Sequence, residues 1–108
     1  MNSIYEDDLA KVLCDGLLEI GYKEEKRYPV TITHLFRKFT KNDILLFVWH
    51  REMYIHRLNN TVKHVIPFEN TDQASTIIEI CKDAENYDNL LMRIEKMNIK
   101  TILENMDN

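Results

Sequence analysis

Apolar residues along this chain follow two periods, and the change between them divides it into three parts. From Tyr5 onward, Leu9, Val12, Leu13, Leu17 and Ile20 recur at helical spacing. Ser3-Ile-Tyr-Glu6 ahead of them has the form of a capping box, in which the serine oxygen accepts from the third amide and the glutamate reaches back. Gly21 supplies a left-handed stop. The pattern predicts an amphipathic helix over 3–20, despite Gly16 in its interior.

Residues 22–29 are polar and charged, and end at Tyr28-Pro29. The stretch that follows, 30–39, fits both periods. Val30, Thr31, Ile32 and Thr33 are β-branched and favour a strand, whereas Ile32, Leu35, Phe36 and Phe39 fit helical spacing. The strand is preferred because strong strands follow closely. A helix over 31–40 would make the protein winged-helix-like instead.

Residues 44–50 (ILLFVWH), 53–58 (MYIHRL) and 62–66 (VKHVI) read as strands. Asn42-Asp43 and Asn59-Asn60 suit tight turns, since asparagine tolerates positive φ. Beyond Pro67-Phe68, Asn70 and Gln73 resemble a second capping box, followed by Ala74, Ile77, Ile78 and Cys81 on one helical stripe. A further helix starts near Asn86, with Tyr87, Leu90, Leu91, Ile94 and Met97 on one side. Ile99, Ile102, Leu103 and Met106 form a second stripe pointing nearly opposite. Either the helix breaks near Asn98, the preferred reading, or this apolar end is covered by a partner or a second copy.

The expected fold is therefore α+β in one domain: an N-terminal helix, a four-stranded antiparallel β-meander and two C-terminal helices. Side chains alternate faces along a strand, so pairing parity sorts them. A loop centred on Arg51-Glu52 pairs Trp49 with Tyr54 and Phe47 with His56. One face then carries Ile44, Leu46, Val48, Met53 and Ile55. The other carries Phe36, Lys38, Phe47, Trp49, Tyr54, His56 and Lys63, with His34 and Val65. On the aliphatic side, Leu35 and Phe39 are joined by an awkward Arg37.

The chain has 108 residues and a net charge of −4, but the charge is uneven. Residues 22–64 hold nine bases, four acids and all four histidines, between two acidic flanks. A basic middle bearing aromatic rings could stack single-stranded bases and neutralise phosphates, while the overall acidity opposes it. Cys14 and Cys81 fall at apolar-facing positions and read as buried free thiols of an intracellular, cytoplasmic protein. The acidic start does not resemble a signal peptide, and no apolar run approaches the ~18 residues of a membrane span.

Catalytic and metal signatures are weak. Zinc sites favour ligand pairs at short spacing, and His50 and His56 are too far apart for one; on the preferred register they also fall on opposite faces. Glycine at 16 and 21 only gives no phosphate cradle, and no cofactor motif stands out. The best catalytic set is His34 and His56 near Lys38, as general acid and base of a nuclease. The expectation is instead a non-catalytic protein-interaction module: a regulator, adaptor or inhibitor that self-associates as a homodimer. Phe36, Lys38, Phe47, Trp49, Tyr54, His56 and Lys63 are its candidate contact residues, and Ile99, Ile102, Leu103 and Met106 its candidate dimer contacts. A single-stranded nucleic-acid binder using the same sheet face is the alternative.

Overall fold

A computed structural model of the chain describes residues 8–25, 36–60, 62–97 and, as backbone, 102–105. The expected Ser3–Glu6 cap, His34, the 30–35 half of the ambiguous stretch, Ile99 and Met106 lie outside the described residues. Among the described residues, three helices and a six-stranded sheet make up the α+β fold. In chain order the elements are α1 (Asp8–Glu19), β1 (Lys23–Glu25), β2 (Arg37–Lys41), β3 (Ile44–Trp49), β4 (Glu52–Arg57), β5 (Val62–Pro67), α2 (Thr71–Asp83), α3 (Tyr87–Lys96) and β6 (Ile102–Asn105). Every strand pairs antiparallel with its neighbour in sequence, so the sheet order is β1-β2-β3-β4-β5-β6.

Two strands add to the expected four. β1 falls in the charged segment after α1, where Lys23-Glu-Glu carries no apolar signal, and its pairing with Lys38–Thr40 makes it a short edge strand. β6 overturns the helical reading of the second apolar stripe. α3 stops at Lys96, with Met97 as its C-cap, and Ile102–Asn105 instead pair with Val62–Val65. Two adjacent apolar residues with others three positions to either side satisfy a helical pattern, but a strand needs only somewhere to pair, and the exposed edge of β5 provides it. Arg37–Lys41 is strand, so the winged-helix alternative fails over that stretch.

The ends of the helices follow from local chemistry. Gly21, at φ 106°, closes α1: its amide donates to Leu18 O and the Tyr22 amide to Leu17 O, the paired bonds of a Schellman motif. Tyr22 and Leu17, the two residues such a motif brings together, are both buried. Asn70 and Asn86 cap α2 and α3 in the same manner, each side chain accepting from the amide three residues on. The reciprocal arm lands one residue early in both cases, since Gln73 and Asn89 accept from the amides of Glu69 and Glu85.

All three helices cover the aliphatic face of the sheet. Leu9, Leu13 and Leu17 of α1, Ile77 and Cys81 of α2, and Leu90 and Ile94 of α3 pack on Phe39, Ile44, Leu46, Met53, Ile55 and Ile66 in one buried cluster. Val12, expected on the stripe of α1, lies off it and is exposed. Gly16 explains itself here. A Cβ at this position would lie 2.3 Å from Ile78 Cδ1, so the missing side chain is what lets α2 approach α1. Cys14 and Cys81 form no disulfide and are both buried in this core.

A polar seam fixes the helix layer against one end of the sheet. Lys41 and Asn42 donate to the carbonyls of Ala84 and Glu85, and Asp43 accepts from the Tyr87 amide at 2.7 Å. Arg57 bonds Asp88 at 2.6 Å from β4. The β2–β3 turn is thereby tied to the α2–α3 connection, which sets how the helices lie over the strands. Among the described residues no helix is long and apolar enough to cross a membrane.

Candidate interaction face of the sheet

Two hairpins share one geometry, in which the first of two turn residues takes positive φ, 54° at Asn42 and 54° at His50; in the wider β4–β5 connection Asn59 takes it, at 67°, as the second central residue of a turn closed by the Asn60 amide on Arg57 O. Two of these turns are where asparagine predicts them. The middle one is not. The turn is His50-Arg51 rather than Arg51-Glu52, so Trp49 pairs with Glu52, Phe47 with Tyr54 and Leu45 with His56. The expected register is off by two residues. An even slip preserves parity, so every side chain keeps the face assigned to it. Histidine tolerates left-handed backbone better than most residues, which is what allows the turn to fall there.

Three rows of side chains cross the face away from the helices. One runs Thr40, Leu45, His56, Lys63; the next Lys38, Phe47, Tyr54, Val65; the third includes Trp49, Glu52 and Pro67. Phe36, just before β2, completes a ring cluster. Its centroid lies 5.4 Å from Trp49, 5.9 Å from Phe47 and 5.9 Å from Tyr54, the last two edge-on. Phe36, Phe47, Trp49 and Tyr54 are each half-buried. The Trp49 indole N–H is enclosed with no hydrogen-bond partner, an uncommon state for a buried donor.

The cations on this face are already engaged. Lys38 Nζ lies 3.1 Å from a Glu25 carboxylate oxygen and 5.8 Å from the Phe47 ring centre. Lys63 Nζ stands 4.9 Å from the centre of Tyr54, whose hydroxyl donates to Glu52 at 2.6 Å. Glu25 and Glu52 are the members that sequence reasoning missed. Glu25 lies in a charged segment with no apolar pattern, and Glu52 was assigned to the turn.

His56 is buried at 3% exposure, its ring edge-on to Phe47 at 5.3 Å. Burial, and secondarily the charge of Lys63, hold its imidazole below the ordinary histidine range, against a backbone hydrogen bond at Asn60 that favours the proton. His50 sits apart in the exposed turn, its ring 4.6 Å from Trp49. The two histidines whose spacing raised the question of a metal occupy opposite ends of the hairpin, His50 beyond the Trp49–Glu52 pair and His56 across from Leu45. Among the described residues no three His, Cys, Asp or Glu side chains converge as metal ligands would.

The structure therefore gathers Phe36, Lys38, Phe47, Trp49, Tyr54, His56 and Lys63 on one surface. Ile102 and Leu103 do not join them as a helical stripe; they pair along β5 with Val65 and His64. A shallow depression of about 740 Å³ lies beside Trp49, bounded also by Arg51, Pro67 and Glu69, where the β3–β4 turn meets the approach to α2. No protein-family model, curated protein or solved structure matches this chain.

Proposed function

We propose that this chain is a non-catalytic protein-interaction module, a small regulator, adaptor or inhibitor, with its aromatic sheet face as the contact surface. The observation that carries the reading is the Phe36–Phe47–Trp49–Tyr54 cluster, half-exposed on the face that the helices leave uncovered. Rigid aromatic anchors with few rotatable bonds are what protein interfaces concentrate at their centres. The rings hold one another in place before any partner arrives, which lowers the entropy lost on binding.

The engaged cations favour protein over nucleic acid as the partner. A phosphate backbone requires lysines free to neutralise it. Here Lys38 is paired with Glu25, and Glu52 adds a second carboxylate to the same face. A second copy of the chain is the first partner to test, because the face carries both signs of charge beside its rings and can complement itself in a two-fold dimer. Two free buried thiols fit a reducing compartment, so we place the protein in the cytoplasm.

The test is molar mass by light scattering behind a sizing column, across a hundredfold concentration range, for the natural chain and Trp49→Ala. A dimer that Trp49→Ala dissociates supports self-association through this face. A monomer whose tryptophan fluorescence responds to a single-stranded oligonucleotide, with an affinity falling steeply in salt, would replace this reading with nucleic-acid binding.

A further inference from the structure

His56 is the one fully buried histidine among the described residues, and it stands at the foot of the ring cluster. Its edge meets Phe47; Phe47 meets Phe36; Phe36 meets both Trp49 and Tyr54. Its cross-strand partner on β5 is Lys63, whose ammonium lies over Tyr54. An imidazole and an ammonium thus sit side by side under one set of rings. The arrangement favours the neutral ring, because a buried imidazolium would lose its hydration and be repelled by the neighbouring, partly exposed ammonium.

Apart from the backbone hydrogen bond at Asn60, which favours the proton, the surrounding groups give a second charge no shelter. From β3 the neighbours are Leu45 and Phe47, which do not titrate. From β4 itself comes Tyr54, whose hydroxyl is held by Glu52. Lys38 of β2 lies over Phe47 from the far side, with its own partner Glu25 on β1. β6 brings Glu104 into register with Lys63, one strand further away. Among the described side chains whose charge acts on the imidazole, none is a carboxylate.

We propose that His56 is an acid-sensitive latch: when it takes up a proton, the Phe36–Phe47–Trp49–Tyr54 cluster comes apart while the helix-covered core stays folded. An imidazolium turning toward water gives up its edge-on contact with Phe47, the ring that joins it to the rest of the cluster. On the opposite face the core has its own contacts, largely aliphatic, and its buried Tyr22 phenol and Cys81 thiol, pushed up by burial, stay neutral in acid. The latch rests on the cluster's geometry and holds whether or not the face takes a protein partner.

Trp49 is the only tryptophan, so its emission reports the cluster directly. The His50 ring also touches Trp49, so the experiment starts from His50→Gln to isolate the contribution of His56. Titration from pH 8 to 4.5 should give one step in tryptophan emission below pH 6.5, with far-ultraviolet circular dichroism unchanged. Adding His56→Gln should abolish that step, and a variant with His34, His50 and His64 all changed to Gln, keeping His56 alone, should retain it. The proposal is overturned if no step occurs, if the step survives His56→Gln, if it is lost in the variant keeping only His56, or if secondary structure is lost along with it.

Discussion

Arg37 and Glu24 lie diagonally across β1 and β2 on the helix-covered face, joined by two parallel hydrogen bonds of 2.8 Å each. This pair resolves an anomaly in the chain's pattern, an arginine among aliphatic neighbours. The side chains are 26% and 21% exposed, and the guanidinium also lies 5.6 Å from the centre of the fully buried Phe39 ring. A three-residue charged strand holds the sheet edge because its glutamate satisfies that arginine.

Removing one partner should therefore cost more than removing both. Glu24→Leu leaves a partly buried guanidinium short of its acceptor and should lower unfolding free energy by about 2 kcal/mol, while Glu24→Leu with Arg37→Leu should recover most of the loss. Urea denaturation of the two variants reads the difference. Equal losses in single and double variants would mean that the ion pair does not organise this edge.

Gly16 and Ile78 should be coupled. In the natural chain Gly16→Ala places a methyl against Ile78, and the overpacking, about 1–3 kcal/mol, offsets or outweighs the helical gain. With Ile78→Ala the obstruction is gone, and Gly16→Ala should then stabilise by up to about 1 kcal/mol, the difference in helix propensity. A double-mutant cycle in denaturant measures this directly. If Gly16→Ala has the same effect in both backgrounds, the close approach of α1 and α2 is not what the glycine provides.

The middle hairpin offers a test of register. His50 takes φ 54°, a conformation that glycine or asparagine adopts with less strain. His50→Gly should leave the fold intact and be neutral or stabilising by about 0.5 kcal/mol, whereas glycine at Glu52, inside β4 and bonded to Tyr54, should destabilise by about 1 kcal/mol. A turn centred one residue later would reverse that order.

Acid should weaken the whole fold as well as the ring cluster. Burial lowers the imidazole of His56, with Lys63 adding to it, and burial alone lowers His64, which packs near Tyr87 at 6.3 Å on the other face. Both therefore bind protons more weakly folded than unfolded. Below the free imidazole value of about 6.5 the unfolded chain takes up protons that the native one refuses, so stability is complete above that pH and declines as pH falls through it, levelling only once the native histidines themselves protonate. The urea midpoint at pH 5.5 should lie below that at pH 7.5, and the difference should shrink in His56→Gln with His64→Gln. An unchanged difference in that variant would assign the acid sensitivity to other groups.

How far the residues announce this fold depends on how each element is specified. α1, the Asn42-Asp43 and Asn59-Asn60 turns and the starts of α2 and α3 are set by local chemistry, and the face of each strand residue from Arg37 to Ile66 follows from parity alone. β1 and β6 are edge strands, defined by the strand they join, so three charged residues in one case and a helix-like apolar spacing in the other carry little signal. The His50-Arg51 turn was missed because histidine is seldom a turn residue. The ring cluster was legible as a face, but its internal pairings to Glu25 and Glu52 depended on the two features that the pattern hides.

The order of the sheet also sets an order of events during folding. β2 to β5 are joined by tight turns, so their ladders close short loops and can form early. The β5–β6 ladder is different: α2 and α3 intervene between its two strands, and Val62 pairs with Asn105. That pairing must wait until both helices have docked, which makes β6 the last strand to zip and the first to detach. Its amides should exchange with solvent faster than those of β3 and β4, and the chain should spend part of its time as a five-stranded sheet with β5 as a bare edge.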